Sequence, residues 1–322
     1  MNIVARTLWI ALIVAVAAGA AHAQGYPTKP IKLVVPFAPG GVADIVSRTV
    51  APRLADGLGQ QVIVENKPSA GGILAAEAVA RADPDGHTLL LITNGNAVSA
   101  ALFKSLPYDP VNDFAMVSTV GFFGLVILTD PSSQVKSVRD LIAAAKAKPG
   151  ALNFGTVGVG STQHLAAELF RSTAGIDVQL VTYKATPEVF AAIKNKDVQV
   201  TFEIIAPVLA NIRAGNLRAI AVTSAKRFSG LPDVPTVIES GLAGFNVVSW
   251  NGIAAPAKTP RAVIDRLHQE TLKALAIPEV QTRLLELGVE TRASTPAELR
   301  EFFMSEQSRW TKVIEAANIP KR

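Results

Sequence analysis

Ile31-Lys32-Leu33-Val34-Val35-Pro36-Phe37-Ala38-Pro39-Gly40-Gly41-Val42-Ala43-Asp44 holds a strand, a loop and the start of a helix in one short stretch. The run Ile31–Val35 is short, apolar and β-branched, as a buried strand requires. The prolines and glycines of Pro36–Gly41 interrupt it. From Ala43 to Leu54, apolar residues recur at helical spacing, at Ile45, Val46, Val50 and Leu54. The alternation continues downstream. Gln61–Glu65 reads as a second strand and Gly72–Ala82 as an alanine-rich helix. Asp83-Pro84-Asp85-Gly86 stops that helix, and Thr88–Thr93 is a third strand. Strand–helix–strand–helix–strand order implies a parallel sheet with helices on both faces.

A second unit of the same plan begins near Phe123–Thr129. Ser137 and Asp140 predict a capped helix through Lys146, ended by Pro149-Gly150. Leu152–Thr156 is a strand, Val157–Ser161 a glycine loop and Thr162–Ala174 a helix. Strands are expected at Val178–Tyr183, Val198–Phe202 and Leu217–Val222, and helices at Pro187–Lys194 and Pro207–Ala214. The end of the chain is helical. Thr259-Pro260 opens a helix to about Ala276, Pro278–Leu287 is another, and Thr295-Pro296-Ala297-Glu298 caps a last one.

Composition limits the function. At roughly 100–200 residues per domain, 322 residues make about two domains. With 49% apolar and 18% charged residues, the chain has enough apolar surface to fold. It has no cysteine, which excludes disulfides, cysteine zinc sites, iron–sulfur clusters, thiol nucleophiles and a lipidated cysteine anchor. The net charge of +5 is spread along the chain, which reads as a solvated surface and not as a nucleic-acid site.

Arg6 is the single charge before residue 24. Leu8–Ala18 is unbroken apolar sequence, and Ala21-His22-Ala23 fits a small-x-small processing site. That plan is a secretory leader cleaved after Ala23, placing the mature chain in the periplasm. Phe114–Leu128, the most apolar later stretch, is interrupted by Ser118, Thr119, Gly121 and Gly124 and reads as buried strand, not as a membrane span.

Catalytic signatures are missing. There is no G-x-S-x-G elbow, no phosphate loop, no G-x-G-x-x-G and no H-E-x-x-H. Metal ligands and a cofactor are not expected. Two places offer chemistry: Pro39–Asp44 and Gly158-Val159-Gly160-Ser161-Thr162-Gln163-His164, each between a strand and a helix. Glycine lets backbone approach a ligand, and a helix N-terminus presents unpaired N–H groups and partial positive charge. Either loop alone also reads as a tight connection with a cap. One such loop in each α/β unit points to two lobes facing one cleft, at the C-terminal ends of the strands.

The order of motifs resembles the receptors of tripartite tricarboxylate transporters, the Bug-type solute receptors, over essentially the whole mature chain. The resemblance rests on Tyr26-Pro27-Thr28-Lys29-Pro30-Ile31 leading into Leu33–Asp44, then Val64-Glu65-Asn66-Lys67-Pro68, Ala70-Gly71-Gly72 and Pro84–Leu90. Leu106-Pro107-Tyr108-Asp109-Pro110, Gly160–Leu165, Ile212-Arg213-Ala214-Gly215 and Trp250-Asn251-Gly252 complete it. It implies a two-lobed periplasmic-binding-protein fold of type II, a Venus flytrap in which each lobe is a doubly wound α/β sheet. The expected division is 24–124 plus 247–322 for lobe 1 and 125–246 for lobe 2, with crossings near Phe123–Leu128 and Val247–Trp250. The C-terminal helices are expected to return to lobe 1.

The resemblance also implies a receptor for a small organic acid or amino acid, monomeric, delivering its ligand to a two-component membrane permease. The implied ligand-binding residues are Phe37, Pro39, Gly40, Gly41, Asp44, Thr93, Asn94, Gly160, Ser161, Thr162, His164, Tyr183 and Glu203. Ser161 and Thr162 are expected to donate their hydroxyls to the ligand carboxylate. Lys184-Ala185-Thr186, Gln199 and Glu203 depart from the family pattern at positions expected to border the cleft. The alternative is an exported enzyme using the same cleft, with His164 or Asp44 as base.

Overall fold

A computed structural model describes residues 25–322; the leader and its processing site lie outside them. The strands are β1 (Ile31–Val35), β2 (Val62–Asn66), β3 (Thr88–Thr93), β4 (Phe114–Thr129), β5 (Asn153–Val157), β6 (Gln179–Tyr183), β7 (Val200–Ile204), β8 (Arg218–Val222), β9 (Val248–Pro256) and β10 (Val289–Thr291). The helices are α1 (Val42–Leu58), α2 (Ile73–Ala80), α3 (Asn94–Leu102), α4 (Val138–Ala147), α5 (Thr162–Ala174), α6 (Thr186–Lys194), α7 (Ile205–Arg213), α8 (Arg261–Ala276), α9 (Pro278–Glu286) and α10 (Pro296–Ala316). Among the described residues, no helix is long and apolar enough to cross a membrane.

The expected strand–helix alternation forms two sheets that share β4. In the first, β2, β1 and β3 run parallel, and β9 and the first part of β4 follow antiparallel. In the second, β6, β5 and β7 are parallel, and the last residues of β4 lie between β7 and β8. β4 changes partners between Gly124, opposite Val248, and Leu125, opposite Ile204. The stretch Phe114–Leu128 therefore lies within one unbroken strand, Phe114–Thr129, of 16 residues. Gly124 sits where it passes from one sheet to the other.

Each sheet is covered on both faces, as the nearly continuous apolar strands demand. One face of the first sheet packs Leu33, Leu89 and Ile253 against Val46 and Val50 of α1 and Leu267 of α8. The other packs Val34, Leu90 and Trp250 against Ala76 of α2 and Leu299 and Phe303 of α10. The second sheet buries Phe154 and Phe202 against Phe170 of α5, with ring centroids 5.5–6.2 Å apart. Its opposite face takes Ile193 of α6 and Val208 of α7. This is the doubly wound, two-lobed type II architecture.

Besides the short strand β10, which the sequence did not mark, three elements differ from the sequence reading. The helix α3 lies in a segment after Thr93 to which the sequence reading assigns no element. Asn96 caps it, its Oδ1 accepting from the amide (2.9 Å) and hydroxyl (3.1 Å) of Thr93. Pro187 occupies the second helical position of α6, after Thr186, where a missing N–H is still harmless. The third is α10. Its first half packs on the first sheet, but Trp310 and Ile314 join the cluster that holds Leu165 and Phe170 of α5 together with Val98 and Leu102 of α3. The last helix thus spans both lobes. Its start is the full capping box expected at Thr295 and Glu298.

Candidate functional site

A cleft of about 520 Å³ opens between the two sheets. Both glycine loops border it, and so does the start of α3. The loop before α1 is held by Asp44. Its carboxylate accepts from Gly40 N (2.9 Å), Arg48 Nε (3.0 Å) and Asn66 Nδ2 (2.9 Å). Burial pushes the Asp44 carboxyl up, but the bonds from Arg48, Gly40 and Asn66 outweigh it and hold the pKa below the usual range. Gly40 takes φ +85° to turn the chain. Gly41, at the N-cap, provides no side-chain cap, so the first N–H groups of α1, at Val42 and Ala43, face the cleft unpaired by the helix. Phe37 stands at the rim, 44% exposed.

The opposite wall is Gly158–Gln163. Gly158 and Gly160 have φ of +56° and +83°. The Ser161 hydroxyl donates to Val157 O and accepts from His164 N (3.1 Å). The Thr162 hydroxyl accepts from Asn94 Nδ2 (2.9 Å) and donates to Ser249 Oγ (3.3 Å). Both hydroxyl protons are therefore committed within the protein. Thr162 and Gln163, whose N–H groups open α5 and have no partner within the helix, also line the cleft.

Of the thirteen implied residues, Phe37, Gly41, Thr93, Gly160, Ser161 and Thr162 line the cleft; Pro39, Gly40, Asp44, Asn94, His164, Tyr183 and Glu203 do not. The second group is set aside for physical reasons. Pro39 and Gly40 form the outside of the first loop. Asp44 braces that loop. Asn94 is a tie between lobes: its Nδ2 reaches Thr162, and its Oδ1 accepts from Trp310 Nε1 (2.9 Å). His164 lies beneath the second loop, with Nδ1 accepting from Gly160 N at 3.4 Å. Its burial, with Arg322 and Arg171 nearby, lowers its pKa to about 4, so it is neutral. Tyr183 ends β6, where its carbonyl accepts from Gly158 N. Glu203 is buried, bonded through Oε2 to the Thr186 hydroxyl (3.1 Å). Burial raises its pKa to about 7, against hydrogen bonds from Thr186 and Gln163. Gln199, expected beside the cleft, instead accepts from Asn153 N (2.9 Å) at the opposite end of β5.

Several cleft residues lie outside the sequence reading. The start of α3 brings in Gly95 and Ser99. The turn Ser69–Gly72 packs under it, with Ser99 Oγ 2.8 Å from Gly71 O. Ala70-Gly71-Gly72 was visible as a glycine turn before a helix, the same signal as the other two loops. Ser249 and Asn251 come from β9; Asn251 stood in the Trp250-Asn251-Gly252 motif without a role, and Ser249 carried no local signal. Among the described residues the cleft is lined by no aspartate or glutamate, while Lys184 and Arg322 do line it. Three helix N-termini and two cations around one apolar cleft make an anion site. Asp44 and His164 are both engaged in bracing and away from the surface, and among the described residues no nucleophile lines the cleft beside a free base.

The fold and this cleft define a two-lobed solute receptor. The family described as "Tripartite tricarboxylate transporter family receptor" matches residues 46–319, and the chain belongs to it. BugT of Bordetella pertussis is 36% identical over 318 residues, covering 98% of each chain. The structure of the periplasmic binding protein BugD superposes with a TM-score of 0.79 at 32% identity, over 92% of this chain and 100% of that one. A Rhodopseudomonas palustris protein solved with adipate gives 0.82 at 32% identity, over 92% and 100%. Family members are periplasmic solute-binding proteins and not enzymes, which leaves the enzyme alternative without support.

Proposed function

We propose that this chain is exported, loses residues 1–23 after Ala23, and works in the periplasm as a monomeric receptor. It captures a small organic carboxylate between lobe 1 (24–124 plus 247–322) and lobe 2 (125–246) and delivers it to a two-component permease of the tripartite tricarboxylate type. The observation that carries this reading is the convergence of the α1, α3 and α5 N-termini on one cleft lined by Lys184 and Arg322 and, among the described residues, by no acidic side chain. N–H groups held at helix starts stabilise an anion without moving toward it. The change of partner in β4 at Gly124 and Leu125 supports the lobe division. Adipate in one relative and malate in another, 31% identical with a TM-score of 0.77, favour a carboxylate ligand.

Thermal-shift screening of the mature protein against carboxylates, amino acids, sugars and metal salts tests the reading. A ligand at about 100 times its Kd stabilises by roughly 2.7 kcal/mol. Carboxylates should raise the Tm; a response confined to sugars or metal salts would overturn the assignment.

A further inference from the structure

Asn251 sits on β9, in register with Thr93 of β3 and Gly121 of β4, where the cleft meets the first sheet. It lines the cleft, is 1% exposed, and neither its Nδ2 nor its Oδ1 has a hydrogen-bond partner. Its surroundings explain why. The Thr93 hydroxyl is bonded to Asn96, the Ser249 hydroxyl accepts from Thr162, and Phe123 and Ile204 are apolar. Asn94, buried in the same region, has both ends of its amide bonded within the protein. A buried amide left unpaired lowers stability, and a site built around such groups favours a ligand that satisfies them.

The amide offers an NH2 donor group and a C=O acceptor on a single carbon. It therefore matches two ligand atoms that lie close together. A carboxylate oxygen takes the Nδ2 proton, and a hydrogen-bond donor on the adjacent carbon gives its proton to Oδ1. With Lys184 and Arg322 lining the cleft and no acidic side chain among the described residues there, a neutral hydroxyl suits that second place better than an ammonium. Resting on the carboxylate reading above, we propose that Asn251 is a specificity-determining residue that selects 2-hydroxy carboxylates over their unsubstituted counterparts.

The test is calorimetric titration of the mature protein with matched pairs: succinate and 2-hydroxysuccinate, hexanoate and 2-hydroxyhexanoate, 3-phenylpropionate and 2-hydroxy-3-phenylpropionate, each beside its 2-amino counterpart. The hydroxy member of any pair that binds should bind at least about tenfold more tightly. Asn251→Leu should abolish that preference while leaving the ligand-free Tm unchanged or higher, because removing unpaired buried polar atoms is not destabilising. The near-isosteric Asn251→Asp keeps the acceptor and loses the donor. It should weaken both members of a pair and preserve the preference. Equal affinities within the pairs, tighter binding of the 2-amino acids, or a preference that survives in Asn251→Leu would overturn the role of Asn251 alone. Failure of every carboxylate to bind would overturn the carboxylate reading and this inference with it.

Discussion

Replacing Gly160 by alanine drives a methyl group between the lobes. Gly160 takes φ +83°, and a Cβ built there overlaps Leu102 Cδ2, with Leu102 Cγ at 3.5 Å. Leu102 ends α3, the helix that follows β3 of the first sheet, and its side chain packs in the cluster of Leu165 and Phe170 against which the Gly160 loop and α5 close. The substitution carries a backbone cost of about 1–2 kcal/mol for a left-handed alanine and an overpacking cost of about 1–3 kcal/mol. The second cost falls if the lobes move apart. Gly160→Ala should therefore lower stability by about 1–3 kcal/mol in urea unfolding, followed by the fluorescence of Trp250 and Trp310. It should also weaken carboxylate binding by tenfold or more, since closure and the α5 N-terminus are both displaced. Leu102→Ala alone should cost about 2–5 kcal/mol. In the double variant the clash is gone, so the two losses should fall short of their sum by about 1 kcal/mol, the size expected for residues in contact. Strictly additive losses, with affinity unchanged, would refute the wedge.

The other expectations concern the braces. Asp44→Ala leaves Gly40 N, Arg48 and Asn66 without their acceptor; unfolding should show a loss of about 1–3 kcal/mol, with weaker carboxylate binding in titration. Asn94→Ala cuts the tie from Trp310 to Thr162 and should widen the radius of gyration of the ligand-free protein in solution scattering. Glu203 keeps its proton in the folded chain up to about pH 7, against an ordinary value of 4.5. Its contribution is thus fully present below pH 4.5 and is lost as pH rises through 7. Glu203→Gln should remove that slope, so its stability relative to wild type should rise by on the order of 3 kcal/mol between pH 5 and pH 8 in urea titrations. His164 shifts the opposite way, to about 4 from 6.5. It favours folding above pH 6.5 and opposes it increasingly as pH falls toward 4, and His164→Asn should flatten the acid side of the same profile.

The amino-acid sequence by itself determined what depends on neighbours a few residues away. Apolar periodicity marked β1 with α1 and β5 with α5. The Thr295–Glu298 box marked the start of α10. Glycines after strand ends marked two of the three helix starts at the cleft. Those signals are local because strand pleat, helix turn and caps are set within about one turn of chain. The tertiary structure alone decided where the polar groups find partners. Asn94 meets Thr162 across 68 residues, and Trp310 meets Asn94 across 216. Such distances left Asn94 looking like a ligand contact, Asp44 and His164 like possible bases, and Asn251 as a motif residue without a role. What brings them to their places is the passage of β4 from one sheet to the other and the seating of β9 between β3 and β4. The many weak apolar contacts of both cores fix those two strands, and no short window of sequence contains them.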